Sequence, residues 1–260
     1  MKIALDRTAK SIQRILLPIV DALGIVRSIQ GLLRYPAFIL QFVRYRSKTT
    51  EQVPIAEIYP CLFDSNSQSQ SGRGHYFYQD VWALSRISEV CPDRHVDVGS
   101  RIDGFVGQLT AICPVEYVDI RPAPASIENL SVKAGSIVTL PYNDGSLHSL
   151  SSLHVIEHIG LGRYGDPIDP DGTAKAAREL TRVLAVSGRL YIGTPIGRER
   201  VAFNAHRISC PLRLLQRFHG LTLIEFSVVD DDGKFKRFAD PRDYCTADYA
   251  CGLFIFEKSQ

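Results

Sequence analysis

Beyond residue 94 the chain alternates between short apolar runs of strand length and stretches whose apolar positions recur at helical period. Segments 94–98 (RHVDV), 115–120 (VEYVDI), 137–140, 147–153, 189–193 (RLYIG), 221–229 and 252–257 (GLFIFE) read as strands. Segments 105–112, 173–185 and 212–218 read as helices. In 173–185, Ala177, Leu180, Val183 and Leu184 share one side and Lys175, Arg178, Glu179 and Arg182 the other. Ahead of the first strand, 75–90 places Tyr78, Val81, Trp82, Leu84 and Ile87 at near-helical spacing before Cys91-Pro92-Asp93 ends it. Strands alternating with helices predict an α/β fold with a mostly parallel, seven-stranded sheet covered by helices.

Polar chemistry concentrates after the fourth strand. Tyr142-Asn143-Asp144-Gly145-Ser146 has the composition of a tight turn. The Ser-interleaved strand 147–153 follows, and then His154, Glu157, His158, Arg163, Tyr164 and Asp166 within thirteen positions. In an open α/β sheet, ligands bind at the carboxyl ends of strands. Titratable groups there are candidates for chemistry.

The first third of the chain differs. Residues 1–46 form a basic, amphipathic helical arm, 47–74 a Ser/Gln/Gly-rich linker, and 75–260 the α/β domain. Residues 1–50 hold nine Lys/Arg against Asp6 and Asp21, a charge of +7; with a net charge of +2, the remainder is 2 − 7 = −5. That net charge makes no general case for nucleic acid. Arg14, Pro18, Asp21 and Gly24 interrupt the apolar stretch 12–26, so it is neither a spanning helix nor a signal peptide. Phe38, Ile39, Leu40, Phe42 and Val43 beside Arg34, Arg44 and Arg46 describe an interfacial helix, a helix docking on a partner, or an extension packed on its own domain. Cys61, Cys91, Cys113, Cys210, Cys245 and Cys251 are scattered without a CxxC pair, and read as reduced residues of a cytoplasmic protein.

HVDVGS, VDIRP, LPYNDGSLHSLSSLHVIEHI and ELTRVLAVSGRLYIGTP, in this order and spacing, resemble the class I S-adenosylmethionine (SAM)-dependent methyltransferases across roughly residues 94–257. HVIEHIGLGRYGDPIDPDG with FNAHRIS resembles an uncharacterised branch of that superfamily, placed near cell-surface glycan biosynthesis. The resemblance implies a Rossmann-like fold and SAM as cofactor. Asp97 and Gly99 match the acidic residue and first glycine after strand one, with Ser100 beside them. Arg101 and Asp103 replace the next two glycines, and Gly104 comes one step late. Arg101 could fold away, contact the methionine carboxylate or block the pocket. Asp119, ending strand two, is placed for the ribose hydroxyls. Ser136 is expected near the adenine and Leu140 against its face.

His154 is the candidate general base, with Glu157 and His158 opening the next helix and orienting it. Arg163, Tyr164, His206 and Arg207 are candidates for holding the acceptor. HVIEH also fits the H-x-x-E-H zinc-protease pattern, but His154 ends a strand, so no metal is expected. Asp230-Asp231-Asp232-Gly233 reads as a hairpin turn, lacking the ligand spacing of a calcium loop. The function implied is O-methylation of a glycan or lipid-linked sugar in the cytoplasm, with the arm at the membrane's inner face. The alternative is a non-catalytic module of the same fold, acting in recruitment or regulation.

Overall fold

The computed structural model describes residues 24–48, 62, 74–122 and 124–259. The chain forms two compact units, Met1–Ser71 and Gly72–Gln260. In the first, α1 (Ile25–Lys48) runs through Pro36. Leu32, Leu33, Ile39, Leu40 and Val43 on it are each more than half exposed. Most of the segment 12–26 and of the linker lies outside the described residues. Among those described, no helix is long and apolar enough to cross a membrane.

The second unit begins with α2 (His75–Val90) and β1 (His95–Val98). A π-helical turn (Ile102–Val106) leads into the one-turn α3 (Gly107–Leu109). Then come β2 (Val115–Asp119), β3 (Leu130–Ala134), β4 (Leu147–Leu153), α4 (Gly172–Val183), β5 (Leu184–Ile196), β6 (Arg200–Ala202) and β7 (His206–Ile208). The remainder is α5 (Pro211–Arg217), β8 (Thr222–Val229), β9 (Phe235–Lys236) and β10 (Ala250–Glu257).

The main sheet has eight strands in the order β3-β2-β1-β4-β5-β10-β8-β9. The pairs among β3, β2, β1, β4 and β5 are parallel, and β10 is antiparallel to both β5 and β8. The strand beyond the expected seven is β9, which closes a hairpin on β8 through the Asp230–Gly233 turn. A separate ribbon pairs β6 with β7.

Strand alternation divides the core. Val96, Val98 and Leu150 face Ala177, Leu180 and Val183 of α4 in one apolar cluster. Full burial of a leucine such as Leu180 is worth about 1.5–3 kcal/mol, which fastens α4 to the sheet. Trp82, Ala83 and Ile87 of α2 cover the other face with Phe105, Leu153 and Tyr191. The Trp82 indole donates to the buried Glu225 of β8 at 2.9 Å.

Two expectations are corrected. The third strand is Leu130–Ala134, not 137–140. As an edge strand it is largely exposed and lacks a continuous apolar run, whereas the buried Ile137 and Leu140 flank a turn closed by Thr139 N–H on Ser136 O. The cysteines are not all reduced: Cys210 and Cys245 form a disulfide with Cα atoms 4.4 Å apart. It joins the start of α5 to the end of the turn Pro241–Tyr244, so the partners come from loops 35 residues apart.

Candidate active site

A buried polar chain lies beneath the turn that follows β1. Register Asp97↔Ser151 puts His95 and Asp97 beside Ser149 and Ser151 on one sheet face. His95 lies between the two hydroxyls, 2.7 Å from Ser149 and 2.8 Å from Ser151. Ser151 also donates to Asp97, which accepts from Ser100 N–H at 3.0 Å and Ser100 Oγ at 2.7 Å. Ser100 Oγ in turn accepts the Leu153 N–H at 2.9 Å. Burial pushes His95 down to about 3 and Asp97 up to about 6, the hydroxyls opposing the latter. Asp97 is thus a support below the turn and does not line the cleft, contrary to the expectation that it meets the cofactor.

Above this support opens a cleft of about 510 Å³, lined by Gly99, Ser100, Asp119, Ser136, Ile137 and Val138 among others. Gly99 has φ +76°, and a Cβ there would sit 3.0 Å from Val155. Asp119 accepts the Arg121 N–H at 2.6 Å and the Tyr117 hydroxyl at 3.1 Å. Leu140 is in the core, its N–H on Glu179 at 2.6 Å, and Ile137 and Val138 take the lining position expected for it. Arg182 of α4 holds that turn by donating to Tyr142 O at 2.9 Å and to the Asp144 carboxylate at 2.6 Å.

Arg101 folds away along the rim. Its guanidinium bonds both oxygens of Asp103, at 3.1 and 2.9 Å, and lies 5.1 Å from the Tyr76 ring centroid. The displaced Gly104 lies in the π-helical turn, which holds more residues per turn than an α-helix. A Cβ on Gly104 would come within 2.8 Å of Asp80 on α2.

A second pocket of about 530 Å³ is lined by His75, Arg163, His206 and Tyr249 among others, and shares Tyr76, His154 and His158 with the cleft. His154 has φ +56° and a side chain only 5 % exposed. Such strained backbone in a non-glycine residue concentrates at functional sites. Its Nδ1 is 2.9 Å from Glu157 Oε1, and its Nε2 is 3.8 Å from Cys251 Sγ. Burial acts to lower the His154 pKa, but Cys251 and Glu157 together raise it well above the usual value. Glu157 is held low by its histidine neighbours against its burial.

No helix starts at Glu157. Residues 155–161 form turns, and α4 begins only at Gly172. His158 donates from Nδ1 to Ala205 O at 2.6 Å, which leaves Nε2 as the acceptor nitrogen. Burial lowers its pKa. Its Nε2 lies 3.7 Å from Glu157 Oε1, whose charge acts against that lowering.

Among the acceptor candidates, Arg163 and His206 line the second pocket, while Tyr164 lines the cleft. The Tyr164 ring lies between the guanidiniums of Arg121 and Arg163, at 4.8 and 5.0 Å. Arg207 is spent internally. It donates to Ile159 O, to Asp169 O at 3.2 Å and to Pro170 O at 3.4 Å, fastening the loop that carries His158. His75, Tyr76, Tyr249 and Cys251 were not signalled by local motifs; strand and helix ends bring them together from opposite ends of the domain.

Strand order, the antiparallel β10 and the cleft at the carboxyl ends of β1, β2 and β4 define the class I methyltransferase fold. A geranyl diphosphate methyltransferase solved with SAM is 14% identical, with a TM-score of 0.51 over 70% of this chain and 84% of that one. A candidate sarcosine dimethylglycine methyltransferase from Galdieria sulphuraria is 18% identical, with a TM-score of 0.50 over 70% and 86%. The family described as Caenorhabditis protein of unknown function, DUF268, matches residues 141–237, from the Arg182-held turn through β9. No curated protein matches by sequence.

Proposed function

We propose that this chain is a SAM-dependent methyltransferase that acts on a hydroxyl. The observation carrying this reading is that two pockets meet at Tyr76, His154 and His158. The residues present fit the cofactor. Gly99, whose φ of +76° and tight 3.0 Å spacing to Val155 disfavour a Cβ, and Ser100 offer close backbone approach for its methionine end. Asp119 offers a carboxylate to ribose hydroxyls, and Ser136, Ile137 and Val138 a wall for the base. Bound SAM would supply an electrophilic methyl group to a nucleophile aligned with it.

The chain's own residues would handle the acceptor. His158 Nε2, its tautomer fixed by Ala205 O, would take the proton of the acceptor hydroxyl. Tyr76 and Tyr249 are aromatic walls of the second pocket, with Arg101 over the first ring and His75 stacked on the second, and Arg163 offers a cation for a phosphate. These features favour a glycan or lipid-linked sugar. We further propose that α1 holds the protein at an anionic membrane surface, because the arm is basic and its apolar residues are exposed. Calorimetry with SAM and S-adenosylhomocysteine tests the reading. Saturable binding supports the enzyme, and silence at millimolar ligand would favour a non-catalytic module.

A further inference from the structure

His75, His154 and Cys251 converge although 79 and 97 positions separate His154 from the other two. One ligand-capable atom from each lies within 4.8 Å of the others. We propose that these three side chains form a site for one thiophilic divalent cation, Zn²⁺, between the two pockets.

Four observations support it. The donor set is one thiol and two imidazoles, which suits zinc and disfavours magnesium or calcium. In a tetrahedral site, Zn–S of about 2.3 Å and Zn–N of about 2.0–2.1 Å put the donors roughly 3.5 Å apart. The 3.8 Å between Cys251 Sγ and His154 Nε2 is close to that. The longer separations would close by movement of His75, which is half-buried and the first residue of α2.

The imidazole of His154 also carries an outer partner: Glu157 holds His154 Nδ1 and so aims Nε2 at the thiol, while the His75 ring stacks on that of Tyr249, centroids 5.1 Å apart. Carboxylate or carbonyl partners of this kind orient metal-binding histidines and fix their tautomers. Finally, His75 and His154 line the second pocket, so the fourth ligand position faces the space assigned to the acceptor. Three protein ligands with one open position is the pattern of catalytic rather than structural zinc.

The site itself needs no SAM. Its part in methyl transfer does rest on the methyltransferase reading: an acceptor hydroxyl bound at the open position would become more acidic and pass its proton to His158. The acceptor oxygen would then form its bond to the methyl carbon as the carbon–sulfur bond breaks and the electron pair stays on sulfur.

Elemental analysis and Co²⁺ titration of the metal-stripped full chain, without SAM, test the site. We expect one zinc per chain as purified. Co²⁺ should give intense visible bands of tetrahedral geometry and a near-ultraviolet thiolate band. Cys251→Ser should lose the thiolate band. His75→Gln, at a partly exposed helix start, should keep the far-ultraviolet circular dichroism and bind Co²⁺ at least tenfold more weakly. A pale octahedral spectrum without the thiolate band, or equal Co²⁺ binding by wild type and His75→Gln, would overturn the proposal. SAM calorimetry is separate, so either reading can fail alone.

Discussion

Glu157 Oε1 lies 2.9 Å from His154 Nδ1, both side chains almost fully buried where the two pockets meet. Glu157 Oε2 takes the Thr194 hydroxyl at 3.3 Å, and Glu157 O takes the Arg207 N–H at 2.9 Å. One residue thus joins β5, the β6–β7 ribbon and the His154 ring. Glu157→Ala should destabilise the fold by about 1–3 kcal/mol, because it strands a buried imidazole N–H and a hydroxyl. Urea unfolding measures this, and Glu157→Gln, which keeps an acceptor, should recover part of the loss.

Asp119 and Asp97 should separate by phenotype. Asp119→Ala should weaken SAM binding by about 1–3 kcal/mol and lower the melting temperature less than Asp97→Ala, since Asp119 lines the cleft, where water can replace it beside the Tyr117 hydroxyl and the Arg121 N–H. Asp97→Ala should lower the melting temperature, since it leaves Ser100 and Ser151 without their acceptor. Calorimetry and thermal melts on both variants check the pair. A wild-type affinity in Asp119→Ala would remove Asp119 from the site.

The same polar chain predicts a pH dependence. His95 is depressed to about 3, so below about pH 6.5 the unfolded state binds the proton first, and this contribution to stability falls as pH falls. Asp97 is raised to about 6, so the folded state binds the extra proton between about pH 4 and 6 and its contribution runs the other way. Asp97→Asn removes only the opposing part. Stability should therefore fall more steeply between pH 6 and 4 in Asp97→Asn than in wild type, as read by urea unfolding at each pH.

The sheet was legible because strand and helix periods differ, and the buried strands β1, β4 and β10 read as runs of strand length. The β3 edge was not, because half-exposed LSVKA has no apolar signal while the turn at Ile137–Leu140 does. Within the site, Asp119, Gly99 and the 154–164 cluster follow from their places at strand ends. Asp97 and Arg207 match the motifs yet serve as supports, which only their hydrogen-bond partners show. His75 and Cys251 carry no local pattern; chain topology alone brings them to His154.

His158→Gln should lower turnover by about 10²–10⁴-fold, with any acceptor that the wild type methylates, and leave SAM affinity nearly unchanged. A base contributes to proton transfer more than to cofactor contact. Loss of SAM binding together with loss of fold would make His158 a structural residue.

Full-length protein should co-sediment with anionic vesicles in a salt-sensitive way, each basic residue near the surface adding about 1 kcal/mol. Arg44→Glu with Arg46→Glu should abolish this while leaving the melting temperature unchanged. Equal sedimentation of both proteins would remove the arm from membrane attachment.

Calorimetric titration of the full chain with SAM and with S-adenosylhomocysteine tests the central claim most directly. The account predicts saturable binding of one ligand per chain, weakened by about 1–3 kcal/mol in Asp119→Ala. Absence of binding at millimolar concentrations of both ligands, in a protein with native circular dichroism, would contradict it.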